Sequence, residues 1–271
     1  MRLTCLLLLS LIAPSSATAI VVRHDTDDAE YRVDAVTFPA LVDLPGEGHG
    51  VLIDRQWVVT AAHTLPRHGE LEQVAINGKP RPVARVVVHP GYRTPPDSLF
   101  EQAMATGEAV LILALIAAAD DIALIELAEP VSDIAPVARY PDATEYGKVI
   151  QIVGKGATGT GAAGHDPKGP NRTTLRRAYN TVTSAHERWF CYVFDEPPQA
   201  QPLEGIGGNG DSGSPALIEV DGTWTLAGLA SWKLLTGDVR TARPGRYGQV
   251  SCNVRLSHYR AWIDGVVSGR P

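Results

Sequence analysis

Short runs rich in Val, Ile, Leu and Trp recur along most of the chain, separated by Gly, Pro, Asn and Asp, and this pattern predicts strands joined by tight turns. Residues 51–53 and 57–60 flank Asp54 and Arg55 as strand, turn and strand. Asn77-Gly78 follows 74–76, and Asp221-Gly222 divides 216–220 from 224–229. Both dipeptides suit the positive φ angles of hairpin turns. Residues 83–88 and 149–153 add β-branched strands. Two stretches depart from this pattern. Ser98 and Glu101 stand at capping-box spacing and open a helix over 99–105, which Gly107 separates from the apolar run 109–119. Ser257 is placed to cap a terminal helix in which Tyr259, Trp262 and Ile263 form one apolar stripe. The prediction is an all-β architecture with a helical insertion and a C-terminal helix.

Residues 1–19 read as a secretory signal peptide: Arg2, an apolar run over 6–13, then the small residues Ala17, Thr18 and Ala19. The apolar run is far short of the ~20 residues a membrane-spanning helix needs, which argues against an anchor. Cleavage after Ala19 starts the mature chain at Ile20 and removes Cys5, leaving Cys191 and Cys252. In an oxidising compartment that even pair suggests one disulfide, with two buried thiols as the alternative. At 271 residues, 44% hydrophobic and 20% charged, the chain can build a full core in one large or two modest domains. A net charge of -6 provides no basic field for a nucleic-acid partner.

Candidate chemistry is concentrated in three segments. Gly210-Asp211-Ser212-Gly213-Ser214-Pro215 places a serine between glycines. A serine hydroxyl needs a base to take its proton and donors to receive the charge that develops on an attacked carbonyl oxygen. Flanking glycines let successive N–H groups converge on one point. Val59-Thr60-Ala61-Ala62-His63 supplies a histidine after a hydrophobic strand, and Asp121-Ile122-Ala123-Leu124 an acid entering an apolar strand. That carboxylate is costly to bury unless hydrogen-bonded, and an imidazole N–H is a suitable donor.

Together these segments resemble the signatures TAAH, DIAL and GDSG of the chymotrypsin-like (trypsin-fold) serine proteases, in that family's chain order of His, Asp, Ser. His89-Pro90-Gly91-Tyr92, Ser231-Trp232 and Leu256-Ser257-His258-Tyr259 agree, so the resemblance spans nearly the whole mature chain. It implies two six-stranded antiparallel β-barrels, with 20–135 mainly the first and 136–271 the second plus the terminal helix. It implies Ser212 as nucleophile, His63 as general base and then acid, and Asp121 as the acid that orients the imidazole, in preference to Asp120. The N–H groups of Gly210 and Ser212 would form the oxyanion hole. A freed Ile20 ammonium would pair with Asp211, although Val22-Arg23 replaces the usual Gly-Gly. The resemblance places Cys191 and Cys252 on neighbouring strands of the second barrel.

Departures from the family pattern bear on specificity. Thr64 and Gly48 stand where many relatives carry a disulfide. Ile206 occupies the position of the primary pocket acid of trypsin-like relatives, so a cationic side chain would find no countercharge, unless an altered loop brings Glu204 in. Lys233, after Ser231-Trp232, replaces the glycine at the pocket mouth. Ile206, Ser231, Trp232 and Lys233 are thus the candidate substrate-binding residues, and a small or apolar residue before the cleaved bond is expected. The segment from Arg93 to Asp120 is longer than usual and serves either as a wall of the cleft or as packing.

Gly154-Lys155-Gly156-Ala157-Thr158-Gly159 satisfies GxGxxG, but the glycines and prolines that follow prevent the helix a dinucleotide site needs. Asn171-Arg172-Thr173 is a glycosylation acceptor by pattern. No histidine spacing suggests zinc, and no metal or cofactor is expected. The sequence is thus read as a secreted monomeric serine endopeptidase with protein or peptide substrates and protein inhibitors as partners, free of the membrane after signal cleavage. The alternative is a catalytically silent binding protein on the same fold.

Overall fold

The computed structural model describes residues 20–67, 70–166 and 174–269. The expected signal peptide over residues 1–19 and the glycosylation pattern at Asn171 therefore lie outside the described residues. After β1 (Val21–Val22) come the short helix α1 (Asp28–Tyr31) and the strands β2 (Leu41–Asp43), β3 (His49–Asp54), β4 (Trp57–Thr60), β5 (Gln73–Ile76) and β6 (Lys79–Val88). Helices α2 (Asp97–Thr106) and α3 (Val110–Ala118) precede β7 (Ala123–Leu127). The second half holds β8 (Val149–Gly154), β9 (Gly159–Thr160), β10 (Gly164–His165), β11 (Arg176–His186), β12 (Trp189–Val193) and β13 (Gly205–Ile206). Then follow β14 (Pro215–Val220), β15 (Thr223–Leu234), β16 (Val250–Arg255) and helix α4 (Arg260–Val267).

Two closed six-stranded barrels result, in the orders β2-β3-β4-β7-β6-β5 and β11-β12-β16-β15-β14-β8. All barrel pairings are antiparallel. Closure leaves neither sheet with a free edge. The hairpin dipeptides do what their chemistry predicts: Asn77 and Gly78 take φ of 49° and 73°, Asp221 and Gly222 take 49° and 78°. The first barrel closes on Val42, Leu52, Val58, Ile76 and Ile125, the second on Ile150, Val182, Phe190 and Ala216. A third cluster joins Val59 and Leu124 of one barrel to Leu217 and Leu229 of the other, with Ile263 of α4 packed in. Ile263 is 0% exposed, and its burial contributes about 2 kcal/mol.

Two helix starts differ from expectation. α2 begins at Asp97 with Pro96 before it and no side-chain cap, so Ser98 lies inside the first turn. Tyr259 precedes α4, again without a side-chain cap, because the Ser257 hydroxyl donates instead to Glu145 Oε1 at 2.6 Å. In both places a neighbouring residue took the position that short-range pattern assigned to serine. β1 also lies with the second half of the chain, paired with β13 and β9 rather than with the first barrel. Cys191 and Cys252 face each other across β12 and β16 and form a disulfide.

Candidate active site

The pairing of β4 with β7 matches Thr60 to Ala123, so the residues just beyond β4 and just before β7 meet at one end of the first barrel. His63 and Asp121 occupy those places. The His63 backbone N–H donates to Asp121 Oδ1 at 2.8 Å, and the ring Nδ1 lies 2.7 Å from Oδ2. A carboxylate only accepts, so Nδ1 carries the proton and a neutral ring presents a lone pair at Nε2. Ser231 from the second barrel donates its hydroxyl to the same Oδ2 at 2.5 Å. Asp121 is 3% exposed. Burial alone would raise its pKa, but the charge and hydrogen bonds of His63, with the Ser231 hydroxyl, pull it below the ordinary value. Burial likewise disfavours the charged imidazole, yet Asp121 outweighs it and holds the His63 pKa above 6.5.

The serine segment is tied to both barrels. The Ser212 carbonyl accepts the His49 N–H at 2.7 Å, and the Gly213 N–H donates to Ala230 O at 2.7 Å. Gly213 has φ +75° and sits so close to β3 that a Cβ would lie 2.0 Å from His49 O. Only glycine fits there. The Asn209 carbonyl accepts from Ala157 N–H at 2.5 Å, so in that planar trans peptide the Gly210 N–H points the opposite way. The Asp211 carbonyl accepts from Ser214 N–H at 3.0 Å, which turns the Ser212 N–H away from Ser214 in the same manner. The Ser212 hydroxyl itself makes no hydrogen bond to His63 among the described residues. Bonds of this kind in resting sites are commonly long and tighten when substrate is held.

Asp211 is 3% exposed, and its two oxygens accept one N–H each, from Gly156 at 2.7 Å and Gly208 at 2.8 Å. Ile20 is buried, its carbonyl accepting the Thr158 hydroxyl at 2.6 Å, and the next residue, Val21, pairs with Ile206. In the full chain Ile20 has a peptide nitrogen, and no ion pair joins it to Asp211. Ile206 is 0% exposed in the second-barrel core. Glu204 is not a pocket acid: its carboxylate accepts the N–H groups of Asp195 at 2.6 Å and Gln201 at 2.7 Å. Burial raises its pKa despite those donors.

Beside His63 lies a cavity of about 910 Å³, bounded by the first barrel, the α2–α3 insertion and the second barrel through Ser231 and Trp232. Phe100 and Ile116 bring the insertion into its wall, and Trp189 of β12 holds α3 by donating to Ala117 O at 2.8 Å. Asp120, the alternative acid, is engaged elsewhere, accepting from Arg188 at 3.0 Å and the Tyr259 hydroxyl at 2.8 Å.

Two features behind the site had no signal in the sequence. Asp43 on β2 meets His49 Nδ1 at 3.1 Å and the Lys155 ammonium at 3.1 Å, an ion cluster that spans the barrels directly behind Ser212. Burial would raise the Asp43 pKa, but His49 and Lys155 hold it down at about 2. Arg176, wholly buried on β11, grips Asp28 of α1 with two bonds of 2.7 and 2.6 Å. Both depend on partners more than a hundred residues apart, beyond the reach of any local motif.

Residues 30–263 match the family model described as Trypsin. The mouse protein Complement C1r-B subcomponent is 26% identical over 232 residues, covering 73% of this chain and 29% of its own length. The chain thus spans less than a third of that relative.

Proposed function

The chain belongs to the trypsin family of serine proteases, and from that membership we propose that it is a secreted endopeptidase working through Ser212, His63 and Asp121. Ser212 Oγ attacks the peptide carbonyl while His63 Nε2 takes its proton. The oxygen of the tetrahedral adduct receives the N–H groups of Gly210 and Ser212. His63 then gives the proton to the leaving amine, and water repeats the sequence in reverse to free the acid. Asp121 fixes the imidazole tautomer and stabilises the imidazolium. Ser231 keeps the Asp121 carboxylate aimed. Ester hydrolysis is expected as a side activity, because an ester follows the same acyl-enzyme path.

The reading is carried by one observation: the buried Asp121 carboxylate grips both the backbone and the ring of His63, leaving Nε2 as the basic nitrogen. The opposed orientations of the Asn209 carbonyl and the Gly210 N–H support an oxyanion site beside Ser212. Export rests on the signal-like residues 1–19, and a monomer is the working state. Among the described residues no helix is long and apolar enough to cross a membrane. A fluorophosphonate probe tests the proposal. The processed wild type should label and Ser212→Ala should not; an unlabelled wild type would instead point to a silent binding protein on this fold.

A further inference from the structure

The glycine-rich segment that leaves the end of β8 toward β9 fits no dinucleotide, yet four of its successive residues make contacts around the Ser212 turn. The Lys155 ammonium meets Asp43 at 3.1 Å, and the Gly156 N–H donates to Asp211 Oδ1 at 2.7 Å. The Ala157 N–H donates to Asn209 O at 2.5 Å, and the Thr158 hydroxyl to Ile20 O at 2.6 Å. The middle two bonds hold the residues on either side of Gly210. The fit has no slack: a Cβ on Gly154 would lie 2.1 Å from Asp211 Oδ1, and one on Gly156 2.5 Å from Asn209 O. A small shift of Lys155 is therefore passed on to the turn rather than absorbed.

The first barrel holds the same turn through β3. Asp43 and His49 face each other across β2 and β3, and His49 Nδ1 lies 3.1 Å from Asp43 Oδ1. The His49 backbone N–H donates to Ser212 O at 2.7 Å. Its ring is 1% exposed, so this contact is hidden from water. Asp43 is thus shared by two straps. One leads through His49 to the Ser212 carbonyl, the other through Lys155 to Asp211 and Asn209. The Lys155 and Asp43 side chains are only 22% and 21% exposed, so their attraction is screened less than that of a surface pair.

We propose that Asp43 is a positioning residue for this protease: through Lys155 and His49 it sets the orientation of the Asn209-Gly210 and Asp211-Ser212 peptides, whose N–H groups are those proposed to receive the oxyanion. The inference rests on the endopeptidase reading above. Ser231 and Trp232 line the cavity beside His63, whereas Asp43, Lys155 and Lys233 do not. The Asp43 cluster therefore bears on the developing oxyanion and not on the grip on substrate side chains. An interaction realised only in the transition state appears in kcat and leaves KM alone.

Asp43→Ala and Lys155→Met test this with a peptide amide that the wild type hydrolyses. Each should lower kcat roughly 100-fold, the cost of about 1 Å of misplacement at a reacting centre, while KM stays within about twofold. Lys155→Arg keeps the cation and should restore most of kcat. The double variant should lose no more than either single one, because the pair acts as a unit. A peptide aldehyde, which adds to Ser212 Oγ as a tetrahedral hemiacetal, should bind the variants more weakly in proportion to kcat. The matching peptide alcohol forms no adduct and should bind them as it binds the wild type. Unchanged kcat, a loss carried by KM, or equal weakening of aldehyde and alcohol overturns the proposal. Fluorophosphonate labelling is read in parallel. An unlabelled wild type defeats the endopeptidase reading and this inference with it, whereas a labelled wild type whose variants keep full kcat defeats only the role of Asp43. If Asp43→Ala fails to fold, the contrast between Lys155→Met and Lys155→Arg still decides.

Discussion

Asp121 accepts three hydrogen bonds while almost wholly withdrawn from water: the N–H and Nδ1–H of His63 and the hydroxyl of Ser231. Replacing it with asparagine keeps the size but offers an amide that can donate, so Nδ1 would lose its proton and Nε2 would carry it, blocking the base. Asp121→Asn should therefore lower kcat roughly 10⁴-fold with the fold intact, checked by steady-state kinetics alongside near-UV circular dichroism. The raised His63 pKa has two consequences of opposite sign. The proposed mechanism needs the neutral ring, so the acid limb of kcat/KM should lie at higher pH than an ordinary histidine's, and a limb not shifted upward would contradict the coupling. The ion pair stabilises the fold most fully below the unfolded histidine pKa and loses this contribution as pH rises through the folded value. Only in strong acid does protonation of Asp121, whose pKa is lowered, undo it. The enzyme should thus gain local stability in the range where it loses activity.

The α2–α3 insertion touches both barrels: Phe100 and Ile116 line the cavity next to His63, Ala117 accepts from Trp189, and Val239 N–H donates to Gly107 O at 2.9 Å. An element serving only as packing would not reach the cavity that His63 lines. Replacing 94–119 with a short glycine linker should raise KM for long peptides several-fold more than for short ones; equal effects across lengths would favour packing alone. At this scale the sequence was most readable where local chemistry decides. Asn77-Gly78 and Asp221-Gly222 turn as predicted because positive φ is a property of those residues themselves. The meeting of His63 with Asp121 was legible because short motifs place both residues at the ends of paired strands. The caps at Ser98 and Ser257 were misread because Pro96 and Glu145, not the serines' own neighbourhoods, decide those positions. The bulge at Ser231, whose hydroxyl reaches Asp121, depends on the register with β16, which alternation along one strand does not encode.

Across the whole molecule, Ile20, where a mature chain is expected to begin, reaches the part of the second half that leads to Ser212. Val21 and Val22 pair with Ile206 and Gly205 on one side and with Gly159 and Thr160 on the other, fixing Ile20 within the fold next to the segment that feeds Asp211. Each Asp211 oxygen accepts one N–H and can accept another, so a cation there would complete the shell. Cleavage before Ile20 would supply one, since it converts a peptide nitrogen into an ammonium. With any residue upstream no such charge exists, and Asp211 keeps a buried anion without a full partner, at a cost of roughly 3 to 5 kcal/mol. The Asp211-Ser212 peptide carries the N–H proposed for the oxyanion site, so that cost would fall on the proposed catalytic geometry. A protein beginning at Ile20 should label with fluorophosphonate at least about a hundredfold faster than one beginning at Ala19, as each 1.4 kcal/mol is about tenfold in rate. Its activity should also fall in alkali as the ammonium deprotonates, giving a bell-shaped pH profile whose acid limb belongs to His63. Equal labelling of the two forms, or an alkaline limb unchanged by acetylating the terminal amine, would separate processing from catalysis in this chain.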